Sequence, residues 1–137
     1  MTDMSRLEVD AKIENLDRVN EFIADNIIDC PVKDAMQIEL VVEEIFVNIA
    51  HYAYEGDEAG KAWINCEFDE ETRILEIVFE DNGIPFNPLE RKDPDVTASA
   101  EEREIGGLGI FLTKKLMDEV KYEYKDNCNI LTVVKKL

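Results

Sequence analysis

Two polar side chains one helical turn apart, Glu44 and Asn48, have the residue types and the spacing best suited to chemistry. They fall in a helix predicted over about residues 32–54, where positions i and i+4 share a face. Opposite them is an apolar face that predicts the core, made of Ile38, Val42, Ile45, Ile49 and Ala53. A carboxylate and an amide side by side can supply a general base and a ligand for Mg²⁺. The alternative is an exposed helix edge on which both groups are simply solvated.

Asp81 is the second candidate, at the end of a strand predicted over residues 73–80. Its position continues the alternation of Leu75, Ile77 and Phe79, so its carboxylate should face the helix-covered side of the sheet. An inward carboxylate there can accept a hydrogen bond from an amino group such as N6 of adenine. Asp81-Asn82-Gly83 is also ordinary turn chemistry, and a turn-capping role stays open.

A glycine cluster, Gly106-Gly107-Leu108-Gly109, opens the last predicted helix. Glycine is unfavourable in a helix by propensity, so the cluster indicates close backbone approach or a required positive φ. Free N–H groups and the helix dipole at such an N-terminus bind anions. A flexible hinge for the preceding loop is the alternative, and the two roles are compatible. Neither the Walker P-loop pattern nor the dinucleotide-binding glycine pattern fits this sequence.

The composition restricts the partners of the chain. Its 137 residues, 45% of them apolar, predict one folded domain. The net charge of -17 argues against a nucleic-acid or anionic-membrane surface, although backbone N–H groups can still hold phosphate. The three cysteines form no CxxC pair and His51 is the only histidine, so we expect free thiols and no structural zinc. The absence of a leader-like segment or a long apolar run predicts a cytoplasmic protein.

Hydrophobic periodicity predicts the elements that must position these residues. Strands are predicted over residues 6–12, 61–69, 73–80, 120–125 and 129–135, and helices over residues 13–29, 32–54 and from about residue 107. The first strand should lie at a sheet edge. Strands in adjacent pairs with helices between them predict an α/β (α+β) two-layer sandwich, in which helices cover one face of a mostly antiparallel sheet.

Taken together, the three motifs resemble the Bergerat-type ATP-binding fold of the GHKL superfamily, and within it the small anti-sigma factor serine kinases. Residues 44–48 are similar to the ExxxN helix motif of that group, residues 81–86 to its DxGxPF box and residues 106–109 to its glycine box. The likeness covers nearly the whole chain, and the motifs occur in the same order on the expected elements. It implies a single histidine kinase-like ATP-binding domain over residues 1–137.

The resemblance implies roles for the motif residues. Asn48 would coordinate the Mg²⁺ that bridges the ATP phosphates, and Glu44 would be the general base that deprotonates the attacking hydroxyl. Asp81 would read the adenine amino group, and Gly83 would let the backbone pass close to the base. The motif glycines Gly106, Gly107 and Gly109 would cradle phosphate.

Two further parts of the site rest on the same resemblance. Residues 86–106 would form an ATP lid, and Thr132 would assist Asp81 through a water. The sequence departs from many relatives after the helix motif, because Tyr52 stands where they have histidine and His51 precedes it. We therefore assign His51 no catalytic role.

The implied function is that of a Mg²⁺·ATP-dependent serine kinase that regulates a sigma factor. The substrate would be a serine of a STAS-domain antagonist protein, the second partner would be a sigma factor, and a homodimer is allowed. Two alternatives stay open: a non-catalytic ATP-sensing interaction module, which the acidic surface would suit, and a free-standing ATPase.

Overall fold

Five strands and three α-helices make up the fold in the computed structural model, which describes residues 5–54, 60–90 and 107–137. The strands are β1 (Ser5–Asp10), β2 (Lys61–Asp69), β3 (Ile74–Asp81), β4 (Glu119–Lys125) and β5 (Cys128–Lys136). The helices are α1 (Leu16–Asp25), α2 (Val32–Asn48) and α3 (Gly107–Leu116). Short 3₁₀ turns cover Ile13–Asn15 and Pro88–Glu90, and a π-helical segment, Ile49–Ala53, directly continues α2.

All the strands join one antiparallel sheet in the order β1-β2-β3-β5-β4. The edge position predicted for the first strand is confirmed. The central pairing of β3 with β5 sets Asp81 directly opposite Asn129, two residues that are 48 positions apart in the sequence. This pairing decides which side chains share the end of the sheet.

The core lies between one face of the sheet and the helices. Alternate residues of β2 and β3 are buried, and they pack with buried residues of α1 and α2 in one hydrophobic cluster. The largest fully buried side chains come from both layers: Phe46, Phe79, Ile23, Ile45, Ile64, Leu75 and Ile77. The predicted two-layer α+β sandwich is confirmed. The apolar residues that alternate along the strands face the helices, and those that repeat every 3.6 residues along the helices face the sheet.

The helix boundaries differ from the sequence-based expectation. The first helix is shorter than residues 13–29, because a 3₁₀ turn precedes it and Asp29 takes a left-handed φ of 52°. The second helix extends nearly as far as expected, but its regular part ends at Asn48 and its last residues form the π-helical segment. No helix in the described ranges is long and apolar enough to span a membrane.

The β4–β5 hairpin turns at the place that the sequence indicated. Asp126 and Asn127 both have positive φ, 52° and 63°. Two such residues are typical of a type I′ turn, whose twist matches that of the strands it joins. The register that results pairs Lys125 with Cys128 and Tyr124 with Asn129.

Candidate functional site

A pocket of about 470 Å³, partly open to solvent, lies between α2, the π-helical segment and the ends of β3 and β5. Its walls are mainly apolar and include Ile45, Ile49, Phe79, Ile110 and Leu131. Its polar groups include Asn48 from α2, Asp81 from β3 and Asn129 from β5. An apolar cleft with a few fixed polar groups is the usual form of a small-molecule site.

Asp81 is the only residue charged at neutral pH among the described residues that line the pocket, and it is 5% exposed. Its Oδ1 accepts two hydrogen bonds, from Gly83 N–H at 3.0 Å and from Asn129 Nδ2 at 2.8 Å. Within the described parts of the chain, its Oδ2 has no hydrogen-bond partner. Burial raises the pKa of the Asp81 carboxyl, and the two hydrogen bonds oppose that rise. A buried acceptor oxygen left over at a pocket wall is suited to a ligand N–H.

The Asn129 side chain connects the groups at this end of the pocket, and all of its hydrogen-bond donors and acceptors are used. Its Nδ2 donates to Asp81 Oδ1 and to the Ile84 carbonyl oxygen, both at 2.8 Å. Its Oδ1 accepts from Phe86 N–H at 3.0 Å and from the Tyr122 hydroxyl. Because both donors and both lone pairs are used, the amide has one favourable orientation. The motifs did not reveal Asn129, although it shares the strand parity of Leu131 and Val133.

Gly83 lies where the loop after β3 touches the π-helical segment. A Cβ on Gly83 would lie 1.9 Å from the Ala53 carbonyl oxygen, and the next residue, Ile84, donates its N–H to that same oxygen at 2.8 Å. The close contact at Gly83 in the structure is made with Ala53, whereas the approach to the nucleotide base that the resemblance implied stays a prediction. Only glycine allows this loop to dock on the end of the helix.

Aromatic groups surround the same junction. Tyr52, in the π-helical segment, packs against Phe86 with ring centroids 6.3 Å apart and planes at 27°, and both line the pocket. The neighbouring Tyr54 hydroxyl accepts a hydrogen bond from Asn82 N–H at 3.1 Å and lies 2.7 Å from Asn82 Oδ1. Tyrosine side chains therefore link the helix end to the loop after β3.

The two helix candidates are placed differently. Asn48 lines the pocket, whereas Glu44, one turn earlier on α2, is half-buried and is not among the described residues that line it. Neither side chain has a hydrogen-bond partner among the described residues. Burial raises the pKa of the Glu44 carboxyl, and the charge of neighbouring Glu43 adds to the rise. The structure thus brings Asn48 and Asp81 to one pocket, and it leaves Glu44 outside the described lining.

The remaining predicted site residues lie elsewhere or outside the described ranges. Gly107 and Gly109 are in the first turn of α3, and the residue that follows them, Ile110, lines the pocket. Gly106 and most of the predicted ATP lid over residues 86–106 lie outside the described residues. Thr132 pairs with Val78 and occupies the sheet face opposite to Leu131 and Val133, so the structure does not bring it to the pocket.

Residues 9–135 match the histidine kinase-like ATPase domain family, and the chain belongs to that family. Among curated proteins, it is 34% identical over 98 residues to the serine-protein kinase RsbW of Listeria monocytogenes, a match that spans 69% of this chain and 61% of the relative. It is 28% identical over 102 residues to RsbW of Bacillus cereus, spanning 72% and 62% of the two chains. It is also 26% identical over 118 residues to the anti-sigma F factor of Shouchella clausii, spanning 86% of this chain and 78% of that one.

Proposed function

We propose that this protein binds Mg²⁺·ATP and transfers its γ-phosphoryl group to a serine of a partner protein, as an anti-sigma regulator. The observation that carries the proposal is the Oδ2 of Asp81, which is buried in an apolar pocket that also contains Asn48 and has no hydrogen-bond partner among the described residues. The names of the relatives, serine-protein kinase and anti-sigma factor, support the same activity.

The base of the nucleotide fits the Asp81 end of the pocket. Asp81 Oδ2 accepts a hydrogen bond from the exocyclic amine of adenine, while Oδ1 stays occupied by Gly83 and Asn129. Apolar side chains that line the pocket, such as Ile49 and Leu131, would contact the base and exclude water from that hydrogen bond. The recognition group is thus a charged acceptor in a largely apolar environment.

The phosphate end fits Asn48 and the start of α3. Mg²⁺ prefers oxygen ligands and usually keeps waters and substrate phosphates beside one or two protein ligands, so the single Asn48 amide oxygen is a suitable donor. A Mg²⁺ ion bound there with ATP would neutralise part of the phosphate charge. The backbone N–H groups of Gly106, Gly107 and Gly109 are proposed to hold phosphate oxygens at the helix N-terminus, which compensates for the lack of basic side chains among the described lining residues.

Glu44 is the proposed general base. It accepts the proton of the attacking serine hydroxyl as the serine oxygen bonds to the γ-phosphorus and the bond to the β-phosphate bridging oxygen breaks, releasing ADP. Burial raises the pKa of the Glu44 carboxyl toward neutral pH, and a carboxylate with a higher pKa is a stronger base.

The proposed partners are a STAS-domain antagonist that carries the target serine and a sigma factor that the kinase binds. The test is incubation of the protein with γ-labelled ATP, Mg²⁺ and a candidate STAS-domain partner, followed by detection of phosphoserine. Label on the partner, absent when its serine is replaced by alanine, is the expected result. ATP binding without any label on the partner would overturn the kinase proposal.

A second candidate is an ATP-sensing module that binds a partner without phosphoryl transfer. The position of Glu44 outside the described pocket lining favours it. The same incubation separates the two, because a sensing module shows nucleotide-dependent partner binding and no phosphoserine. Phosphate release without any partner would instead indicate a free-standing ATPase.

A further inference from the structure

Asn129 stands directly across the sheet from Asp81, and it connects three parts of the pocket wall. Its amide group contacts the end of β3 through Asp81, the following loop through Ile84 and Phe86, and β4 through Tyr122. It is 6% exposed, so these contacts are shielded from water. A buried amide with every donor and acceptor used is a rigid element of the wall.

The donor Nδ2 and the acceptor Oδ1 of the Asn129 amide contact different parts of the pocket wall. On the donor side, Nδ2 holds Oδ1 of Asp81, which leaves Oδ2 as the acceptor available to a ligand. On the acceptor side, Oδ1 holds Phe86 N–H and the Tyr122 hydroxyl, which fixes the loop and the neighbouring strand. The donor side therefore bears on what Asp81 recognises, and the acceptor side bears on the shape of the wall.

We propose that Asn129 is a positioning residue that sets the base preference of the pocket, by holding Asp81 as an acceptor for an exocyclic amine. The proposal rests on the proposed nucleotide binding. It names the base selected, a 6-aminopurine over a 6-oxopurine, and assigns that selection to a residue of β5 acting through Asp81.

The physical reason lies in the charge state and orientation of the Asp81 carboxyl. A hydrogen bond from Nδ2 stabilises the ionised form, which accepts from an amine and repels a carbonyl oxygen. Without that donor, the buried carboxyl keeps its proton more readily. A protonated carboxyl donates a hydrogen bond and therefore accommodates the carbonyl oxygen of a 6-oxopurine.

The test compares ATP with ITP, in which a carbonyl oxygen replaces the amine at C6, by measuring both dissociation constants with Mg²⁺ present. Wild-type protein is expected to prefer ATP by about 10- to 100-fold, the range for a hydrogen bond to a charged group. The variant Asn129→Asp keeps the acceptor oxygen and the side-chain shape but replaces the donor with a carboxylate oxygen beside Asp81. Its preference for ATP should fall by about tenfold or more.

The matched control is Tyr122→Phe, which removes one of the two hydrogen bonds that Oδ1 of the same amide accepts and leaves both Nδ2 donor bonds intact. It should weaken ATP and ITP binding to a similar extent and keep their ratio within about twofold of wild type. If Asn129→Asp does not fold, as judged by circular dichroism, Asn129→Leu removes the donor without adding a buried charge and should show the same loss of preference.

The outcomes separate this proposal from the one on which it rests. If wild-type protein binds neither nucleotide, the proposed function is wrong and this assignment falls with it. If wild-type protein prefers ATP and a folded Asn129 variant keeps the full preference, only the assignment to Asn129 is overturned. An equal loss of preference in Tyr122→Phe would also overturn it, because the effect would then follow from the shape of the wall.

Discussion

The two ends of the pocket are built in contrasting ways. At the proposed base end, Asp81, Gly83 and Asn129 are held by hydrogen bonds between strands and loop, and the two polar side chains are buried. At the proposed phosphate end, Asn48 lines the pocket and Glu44 lies one turn earlier on the same helix, outside the described lining, and neither side chain has a hydrogen-bond partner among the described residues. One end is fixed before any ligand binds, and the other keeps its polar groups available.

This difference matches the different demands of recognition and transfer. A base is distinguished by a few hydrogen bonds whose geometry must already be set, because an unpaired or misplaced polar group costs affinity. Phosphoryl transfer needs groups that interact with a metal ion, phosphates and an incoming hydroxyl, and those partners arrive with the substrates. The following predictions test whether the two ends have separate functions.

The largest effect is expected at the phosphate end. Glu44→Gln should lower the rate of phosphoryl transfer to the partner by about 10²- to 10⁴-fold, the usual contribution of a general base, and leave the affinity for ATP unchanged. Single-turnover transfer assays and equilibrium ATP titration measure the two quantities. Glu39→Gln, an exposed residue of the same helix, is the matched control and should behave as wild type. Equal transfer rates for both variants would exclude Glu44 as the base.

The next effect belongs to the base end. Asp81→Asn should weaken ATP binding by about 10- to 100-fold, because an amide N–H would then face the adenine amine. Its oxygen can still accept the hydrogen bonds from Gly83 and Asn129, so the urea unfolding midpoint should stay the same or rise. Glu80→Gln, the preceding residue on the opposite face of β3, should leave ATP affinity unchanged. A loss of stability together with affinity would mean that Asp81 is mainly structural.

A smaller effect is expected where the loop after β3 contacts the π-helical segment. Gly83→Ala places a Cβ 1.9 Å from the Ala53 carbonyl oxygen, so the loop must move away from the end of the helix. The expected cost is about 1–3 kcal/mol of unfolding free energy, as for other overpacked sites. Urea unfolding measures it. A change below about 0.5 kcal/mol would show that the junction is loose and that the base end is not fixed by it.

The smallest effect is the pH dependence of stability that Asp81 contributes. Burial raises its folded-state pKa above 3.8, so the folded protein binds this proton more tightly than the unfolded chain does. As pH rises from below 3.8 through the folded-state pKa, wild type should lose unfolding free energy relative to Asp81→Asn, and the difference should then level off. Paired urea titrations across this range measure the difference. A difference independent of pH would show that the Asp81 carboxyl is not perturbed by burial.

Local sequence patterns were sufficient for much of the fold. Alternation in β2 and β3 placed Asp81 on the helix-covered face, which its burial confirms, and the turn residues Asp126 and Asn127 marked the last hairpin. These features depend on residues close together in the sequence. The motif residues Asn48 and Asp81 line one pocket, and the roles that the resemblance implied for them stay predictions.

Features that depend on distant pairing were not predicted. Asn129 reaches Asp81 only because β5 lies beside β3 in a register that no single strand reveals. Thr132 was assigned to the same place from the resemblance, but strand parity puts it on the other face of the sheet. The π-helical segment after Asn48 was not predicted, because no distinct hydrophobic period marks it in the sequence. Its last residue, Ala53, is the one that Gly83 contacts.

The two-residue turn between β4 and β5 has a consequence for how the pocket can vary. It sets the register that brings the Tyr122 hydroxyl to Asn129, although the turn itself lies at the surface. Inserting one residue there would shift β4 by one position against β5 and exchange its two faces, removing Tyr122 from the wall. Among homologues that keep this pocket, the length of that hairpin loop should therefore vary less than its amino-acid sequence.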